Sequence, residues 1–284
     1  MRSTIDQGLQ ERVSLLVERH HQHLKQNEIH NAAVLVIHIP DRKVLAYVGN
    51  TSSKEEGSGS YVDIIGARRS SGSILKPLLY ACMLDEGKIL PDQLVPDIPT
   101  HISGYSPLNF DRTYSGAVPA STALVRSLNV PAVRMLRTYG LERFHAKLQN
   151  LDFASISEGP GHYGLTLILG GAEVKLWDLC RVYTGMANTL NHIGEYGYRY
   201  DPGEYASLAY ILADELTGSS MEQDVSSPLK TSGIMGAASI WQCFETLTEL
   251  ERPTQEGAWE QFSSSRTLAW KSGTSFGVRD AWAI

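Results

Sequence analysis

The sequence predicts an α+β fold whose antiparallel sheet is built from both chain ends, with a helical subdomain between them. Three observations carry this reading. Strand-like apolar runs lie near the start, at residues 32–39 and 43–48. Two more close the chain, at residues 267–274 and 278–284, around a short turn. The stretch between them reads mostly at helical spacing.

In chain order, Asp6 can cap a helix that carries Leu9, Val13, Leu16, His20 and Leu24 at spacings of three and four. The tail of that helix holds His20, His21 and His23. Their spacing is not the i, i+4 of a helical zinc pair, so a solvated helix end is expected. Pro40-Asp41-Arg42 joins the first two strands into a hairpin. Residues 50–64 are Gly/Ser-rich loop, and a helix beyond Ser73 should end near Gly87, a C′ glycine. Residues 88–118 are proline-rich with little periodicity, which reads as a long irregular excursion. Pro119-Ala120-Ser121 opens a helix reaching about Ser127, and Leu128-Asn129-Val130-Pro131 breaks it. Pro131 suits the first turn of the next helix, which ends at Gly140. Further helices are expected over 141–151, 172–191 and 204–216, while 218–266 yields no clear assignment.

Composition narrows the function classes. A chain of 284 residues, 42% apolar and 20% charged, can bury a substantial core. A net charge of −6 with no basic run argues against nucleic acid as a partner. Cys82, Cys180 and Cys243 are far apart in apolar contexts and read as buried thiols rather than a disulfide frame or a metal site. No apolar run approaches the roughly 20 residues that span a bilayer. Neither a metal nor a cofactor is called for.

The chemistry concentrates in three short segments. In Ser73-Ile74-Leu75-Lys76-Pro77 a hydroxyl and an amine stand three residues apart, on one face if helical. Pro77 lacks an N–H, so regular helix bonding starts after it. Ser73 is thereby held at a helix N-terminus, among free N–H donors. Those are the parts of an acyl-transfer nucleophile. Ser127-Leu128-Asn129 lies at the helix break, where both polar side chains can enter a cleft; the plainer alternative is that Asn129 caps the following helix. Lys271-Ser272-Gly273-Thr274 ends a strand with a cation, two hydroxyls and a glycine that lets a ligand near the backbone, or is an ordinary strand end. Ser227-Pro228-Leu229-Lys230 also fits Ser-x-x-Lys, but no asparagine follows Asn191, so nothing downstream completes a Ser-x-Asn.

The ordered triple Ser-x-x-Lys, Ser-x-Asn, Lys-Ser-Gly is similar to that of penicillin-binding proteins and serine β-lactamases. Four further segments join it: Tyr105-Ser106-Pro107-Leu108-Asn109-Phe110-Asp111, the run from Ala123 to Val133, Leu169-Gly170-Gly171-Ala172-Glu173-Val174, and the run from Trp270 to Trp282. Together they resemble the transpeptidase domain of a class A penicillin-binding protein over nearly the whole chain. Ser272 replaces a commoner threonine, and residues 190–266 match poorly.

The resemblance implies D,D-transpeptidation of peptidoglycan stem peptides ending in D-Ala-D-Ala, with β-lactams as donor mimics. Ser73 would be the nucleophile, Lys76 its base and Ser127 the proton relay to the leaving amine. Asn129 would hold substrate and Lys76. Ser272 and Thr274, backed by Lys271 and with Gly273 giving backbone access, would bind the terminal carboxylate. The Ser73 and Thr274 N–H groups would form the oxyanion hole. A β-lactamase or D,D-carboxypeptidase, or a β-lactam sensor that does not turn over, shares these motifs and stays open, although no base for a deacylating water stands out. The resemblance further implies a periplasmic setting, residues 1–30 as a linker helix and 31–284 as the transpeptidase domain. It implies an absent membrane anchor and glycosyltransferase domain, and a missing strand after the chain's last one, leaving an open sheet edge that a partner or another copy could fill.

Overall fold

The structure, a computed structural model, describes residues 2–52, 59–102, 104–211, 228–249 and 268–284. Thr267, Ser227 and most of the unassigned stretch lie outside the described residues. The chain forms two compact units, Met1–Arg68 with Val174–Gly233, and Arg69–Glu173 with Ile234–Ile284.

The first unit begins with α1, Gln7–Leu24. As expected, Asp6 stays extended and its side chain accepts the Leu9 N–H at 2.7 Å. The antiparallel hairpin β1 (Val34–His38) and β2 (Lys43–Val48) follows, in register Val34↔Val48. Alternation buries Val44, Ala46 and Val48, and α1 packs on β2. Gln10 closes part of the strand edge with its side chain: Oε1 accepts the Tyr47 N–H at 2.7 Å and Nε2 donates to the Tyr47 carbonyl at 3.1 Å. One histidine departs from the solvated reading. His21 lies one helical turn after Val17, and both are buried. Position on the inward face outweighs the polarity of the ring.

α7 (Leu176–His192) packs against β1 and starts later than Ala172, because Glu173–Val174 forms the short strand β6. The helix expected over 204–216 is absent from its described part. Pro202–Tyr205 makes a 3-10 turn capped by Asp201, and the chain then extends. Ala209 donates to the Arg42 carbonyl at 2.9 Å and accepts from Val44 at 2.8 Å. Pairing with the open edge of β2 overrides local helix propensity there.

The second unit is organised on α2, Lys76–Asp85. Residues from Lys76 through Met83 are all buried, under α3 (Ala120–Val125), α4 (Asn129–Tyr139) and α8 (Ala237–Thr248). Gly87 takes the left-handed conformation after the helix, at φ +61°. The excursion over 88–118 contains an unexpected hairpin. β4 (Leu94–Asp97) and β5 (Gly116–Pro119) pair antiparallel, Val95 opposite Val118, both buried. Four-residue strands, one carrying Pro96, are too short to show a period. α5 (Leu141–Asn150) and α6 (Pro160–Tyr163) complete the helical part.

The α+β class holds. Among the described residues the strands form four two-stranded sheets: β1-β2, β3 (Arg69–Ser70) with β6, β4-β5, and β7 (Ser272–Thr274) with β8 (Ala281–Ala283). Each terminal hairpin thus keeps its own ladder. The outer edge of β2 is taken by Ala209. Cys82 and Cys243 are buried, Cys180 is half-buried, and all three are free thiols.

Candidate active site

The helix α2 has no side-chain cap, and the corner before it is held by both backbone and side-chain donors. The Ser71 N–H donates to the Ala172 carbonyl at 2.9 Å, and Ser70 Oγ to the Gly170 carbonyl at 2.8 Å. The Trp282 indole donates to the Ser70 carbonyl at 2.8 Å. Ile74 N–H to Ser71 O and Lys76 N–H to Ser73 O then tighten the chain into the helix. Ser73 is left partly exposed between buried neighbours.

Two glycines let β7 come up against this corner. Gly72 has φ +50°, and a Cβ there would sit 2.6 Å from the Thr274 carbonyl oxygen. A Cβ on Gly273 would be 3.1 Å from the Ile74 nitrogen and 3.3 Å from that of Ser73. Lys271 exchanges both backbone bonds with Ile284, at 2.7 and 3.0 Å, and the Ser275 N–H donates to Asp280. In an antiparallel ladder such pairs alternate. The N–H groups of Ser272 and Thr274 therefore point to the opposite edge of β7, where Gly72 lies.

The Ser-x-Asn segment supplies the third wall. Ser127 adopts φ +54° at the break between α3 and α4. The bend turns two carbonyls and the Asn129 side chain towards one amine. Lys76 Nζ donates to Ser127 O at 2.7 Å, Leu128 O at 3.2 Å and Asn129 Oδ1 at 2.8 Å, and lies 3.5 Å from Ser127 Oγ. None of these bonds goes to Ser73 Oγ. Lys271 Nζ donates to Ser127 Oγ at 2.9 Å and to Ser272 O at 2.6 Å. Ser127 Oγ thus stands between two amines. The capping alternative for Asn129 fails: its Oδ1 is on Lys76 and its Nδ2 donates to Leu108 O at 3.0 Å. The expected residues Ser73, Lys76, Ser127, Asn129, Lys271, Ser272, Gly273 and Thr274 all lie in the second unit. Lys76, Ser127, Asn129, Lys271 and Ser272 share one hydrogen-bonded chain, and the backbones of Ser73, Gly273 and Thr274 meet at the corner.

Both lysines are almost inaccessible, 3% exposed at Lys76 and 0% at Lys271. Burial, and then the charge of Lys271, push the Lys76 amine well below its ordinary value. Burial pushes Lys271 down from 10.5 to about 8. Between these values the unfolded chain binds the extra proton, so this group makes stability rise with pH there. The unfolding free energy of the wild type minus that of Lys271→Met is expected to climb by roughly 1 kcal/mol per pH unit across that window. Urea titrations at several pH values check this, and a flat difference counts against it.

The sequence reading singled out no role for Asn109, Asp97 or Trp282. Asn109 and Trp282 fall inside segments used for the resemblance; Asp97 carries no local signal, since only the β4-β5 pairing brings it inward.

Residues 32–164 match the family model "Penicillin binding protein transpeptidase domain": the chain carries a transpeptidase domain of the penicillin-binding protein family. Among particular proteins, it is 34% identical to penicillin-binding protein 1C of Escherichia coli, over 99% of this chain and 33% of that protein. It is 26% identical to penicillin-binding protein 1B of Vibrio cholerae, over 89% of this chain and 31% of the other. The chain thus spans about a third of the length of these curated relatives. The fold is similar to the solved penicillin-binding protein PonA1 of Mycobacterium tuberculosis, with TM-score 0.69, 18% identity, and coverage of 100% of this chain and 72% of that one. It is also similar to the transpeptidase domain of Burkholderia pseudomallei penicillin-binding protein 3, with TM-score 0.68, 16% identity, and coverage of 96% and 77%.

Proposed function

We propose that this domain is a peptidoglycan D,D-transpeptidase that works through an acyl-serine intermediate and is acylated by β-lactams. The observation that carries the reading is the buried pair of amines sharing Ser127 Oγ beside the partly exposed Ser73. A neutral amine has two N–H bonds and one lone pair, whereas Lys76 faces three close acceptors. Releasing one of them frees the lone pair for the Ser73 proton. Ser73 Oγ then attacks the penultimate D-Ala carbonyl, and the oxyanion forms against the Ser73 and Thr274 N–H groups, donors worth roughly 3 kcal/mol each. The C–N bond breaks, and Lys76 returns the proton through Ser127 to the departing D-Ala amine. The amine of a second stem peptide forms the new C–N bond, the ester bond breaks, and Ser73 regains its proton. Lys271, with the Ser272 and Thr274 hydroxyls, receives the donor carboxylate.

Family membership supports the reaction class, and one solved relative, PonA1, forms a complex with penicillin V. The family match begins at residue 32, which supports residues 1–30 as the lead into a transpeptidase domain over 31–284; a domain that joins peptidoglycan stem peptides would act in the periplasm. The test is intact-mass analysis after incubation with benzylpenicillin, followed by peptide mapping. One adduct per chain on the Ser73 peptide is expected, together with D-Ala release from an acyl-D-Ala-D-Ala peptide. No adduct, or one on another serine, overturns the assignment. Fast hydrolysis of a chromogenic cephalosporin points to a β-lactamase instead.

A further inference from the structure

The helix α4 begins without a cap of its own. Its N-cap residue is Leu128, which has no side-chain acceptor, yet Asn129 and Val130 carry N–H groups that need one. Asn109, twenty residues earlier, supplies it. Its Oδ1 accepts the Asn129 N–H at 2.9 Å and the Val130 N–H at 3.1 Å. Those N–H groups only donate, so the other end of the Asn109 amide is the donor. It gives its Nδ2 hydrogens to Asp97 Oδ1 at 2.7 Å and Thr113 O at 2.8 Å. Asp97 ends β4 and also accepts the Ser115 N–H at 2.8 Å. Both side chains are buried, Asp97 at 0% and Asn109 at 3% exposure. The neighbouring carbonyl, Leu108 O, takes Asn129 Nδ2, which leaves Asn129 Oδ1 as the end facing Lys76.

We infer that Asp97 and Asn109 are positioning residues for acylation: they anchor the start of α4 to the β4-β5 hairpin so that Ser127 and Asn129 hold the Lys76 amine. Neither side chain hydrogen-bonds to the Ser73 corner. They act through the helix start, because the Asn109 bonds fix the backbone at Asn129 and the Leu108 bond fixes its side chain. An unanchored start lets the left-handed Ser127 bend relax, since a non-glycine residue there is strained. The acceptors around Lys76 then disperse together. The inference rests on the acyl-serine reading above.

The test uses second-order acylation by a fluorescent penicillin, measured per folded molecule across pH. Asn109→Ala is expected to slow acylation by on the order of a hundredfold, as displacements of about 1 Å do, and to move the pH at which acylation switches on. Asn109→Asp sets two buried carboxylates side by side, and Asp97→Asn sets an amide against the Ser115 N–H; each slows acylation. The double variant Asp97→Asn with Asn109→Asp restores every bond of the pair except the one to the Thr113 carbonyl, which loses its donor. Its carboxylate accepts both helix N–H groups, and its amide donates to that carboxylate and accepts from Ser115. It is expected to acylate about tenfold faster than Asn109→Asp alone, the coupling that a shared network produces. An Asn109→Ala protein with wild-type rate and unmoved pH dependence overturns the inference. So does a double variant that acylates no faster than Asn109→Asp alone. Benzylpenicillin mapped to Ser73 in the wild type, with Asn109 variants unaffected, sinks only this inference; mapping elsewhere sinks the reading beneath it.

Discussion

Ser73→Ala is expected to abolish labelling by a fluorescent penicillin while leaving the chain folded. The residue is partly exposed and its hydroxyl makes no hydrogen bond among the described residues. Its removal should therefore change stability by no more than about 0.5 kcal/mol. The corner does not depend on it, being held by Ser71 to Ala172, Ser70 to Gly170 and Trp282 to Ser70. Two neighbouring hydroxyls among the described residues are less well placed. Ser127 Oγ is occupied by the Lys271 amine at 2.9 Å, and Ser71, although only two residues away in sequence, is fully buried. In-gel fluorescence beside a melting curve decides the point. Undiminished labelling of folded Ser73→Ala would refute Ser73 as the nucleophile.

Lys76→Met comes next in size. Methionine matches the unbranched stem and fills the buried site without overpacking. What disappears is the base, so acylation should fall roughly a thousandfold, within the range that positioned general bases contribute. In the wild type the rate is expected to rise with pH as Lys76 loses its proton, helped by burial and by the neighbouring Lys271 charge. It should fall again near pH 8, where Lys271 gives up the charge that would meet the donor carboxylate. In Lys76→Met the rising limb should vanish and the falling limb remain. Adding Ser127→Ala should cost little more, because groups that act as one unit do not add. Stopped-flow acylation across pH checks all three outcomes. A loss of only a few-fold, with the rising limb intact, would move the base elsewhere.

Much of this site is legible without coordinates, for a local reason. A nucleophile at a helix start needs a turn, a proline in the first helical turn and an apolar run, and all three are contiguous around Ser73 and Lys76. The Ser127 bend announces itself through the broken helix period before Pro131, and the Lys271 strand through the glycine that follows it. His21 and the 204–216 stretch misled for the opposite reason. Their outcome depends on α1 packing on β2 and on the edge of β2 pairing with Ala209, neither of which is local.

The sequence by itself determined the α+β class, the capped first helix and the three motifs, because each is written in contiguous residues whose propensities and periods agree. Tertiary structure decided what those motifs meet. Pairing of β4 with β5 brings Asp97 to Asn109, and two glycines let β7 close on the Ser73 corner. Backbone edges and buried N–H groups must find partners wherever the chain offers them, and that choice is made in space, between residues distant along the chain.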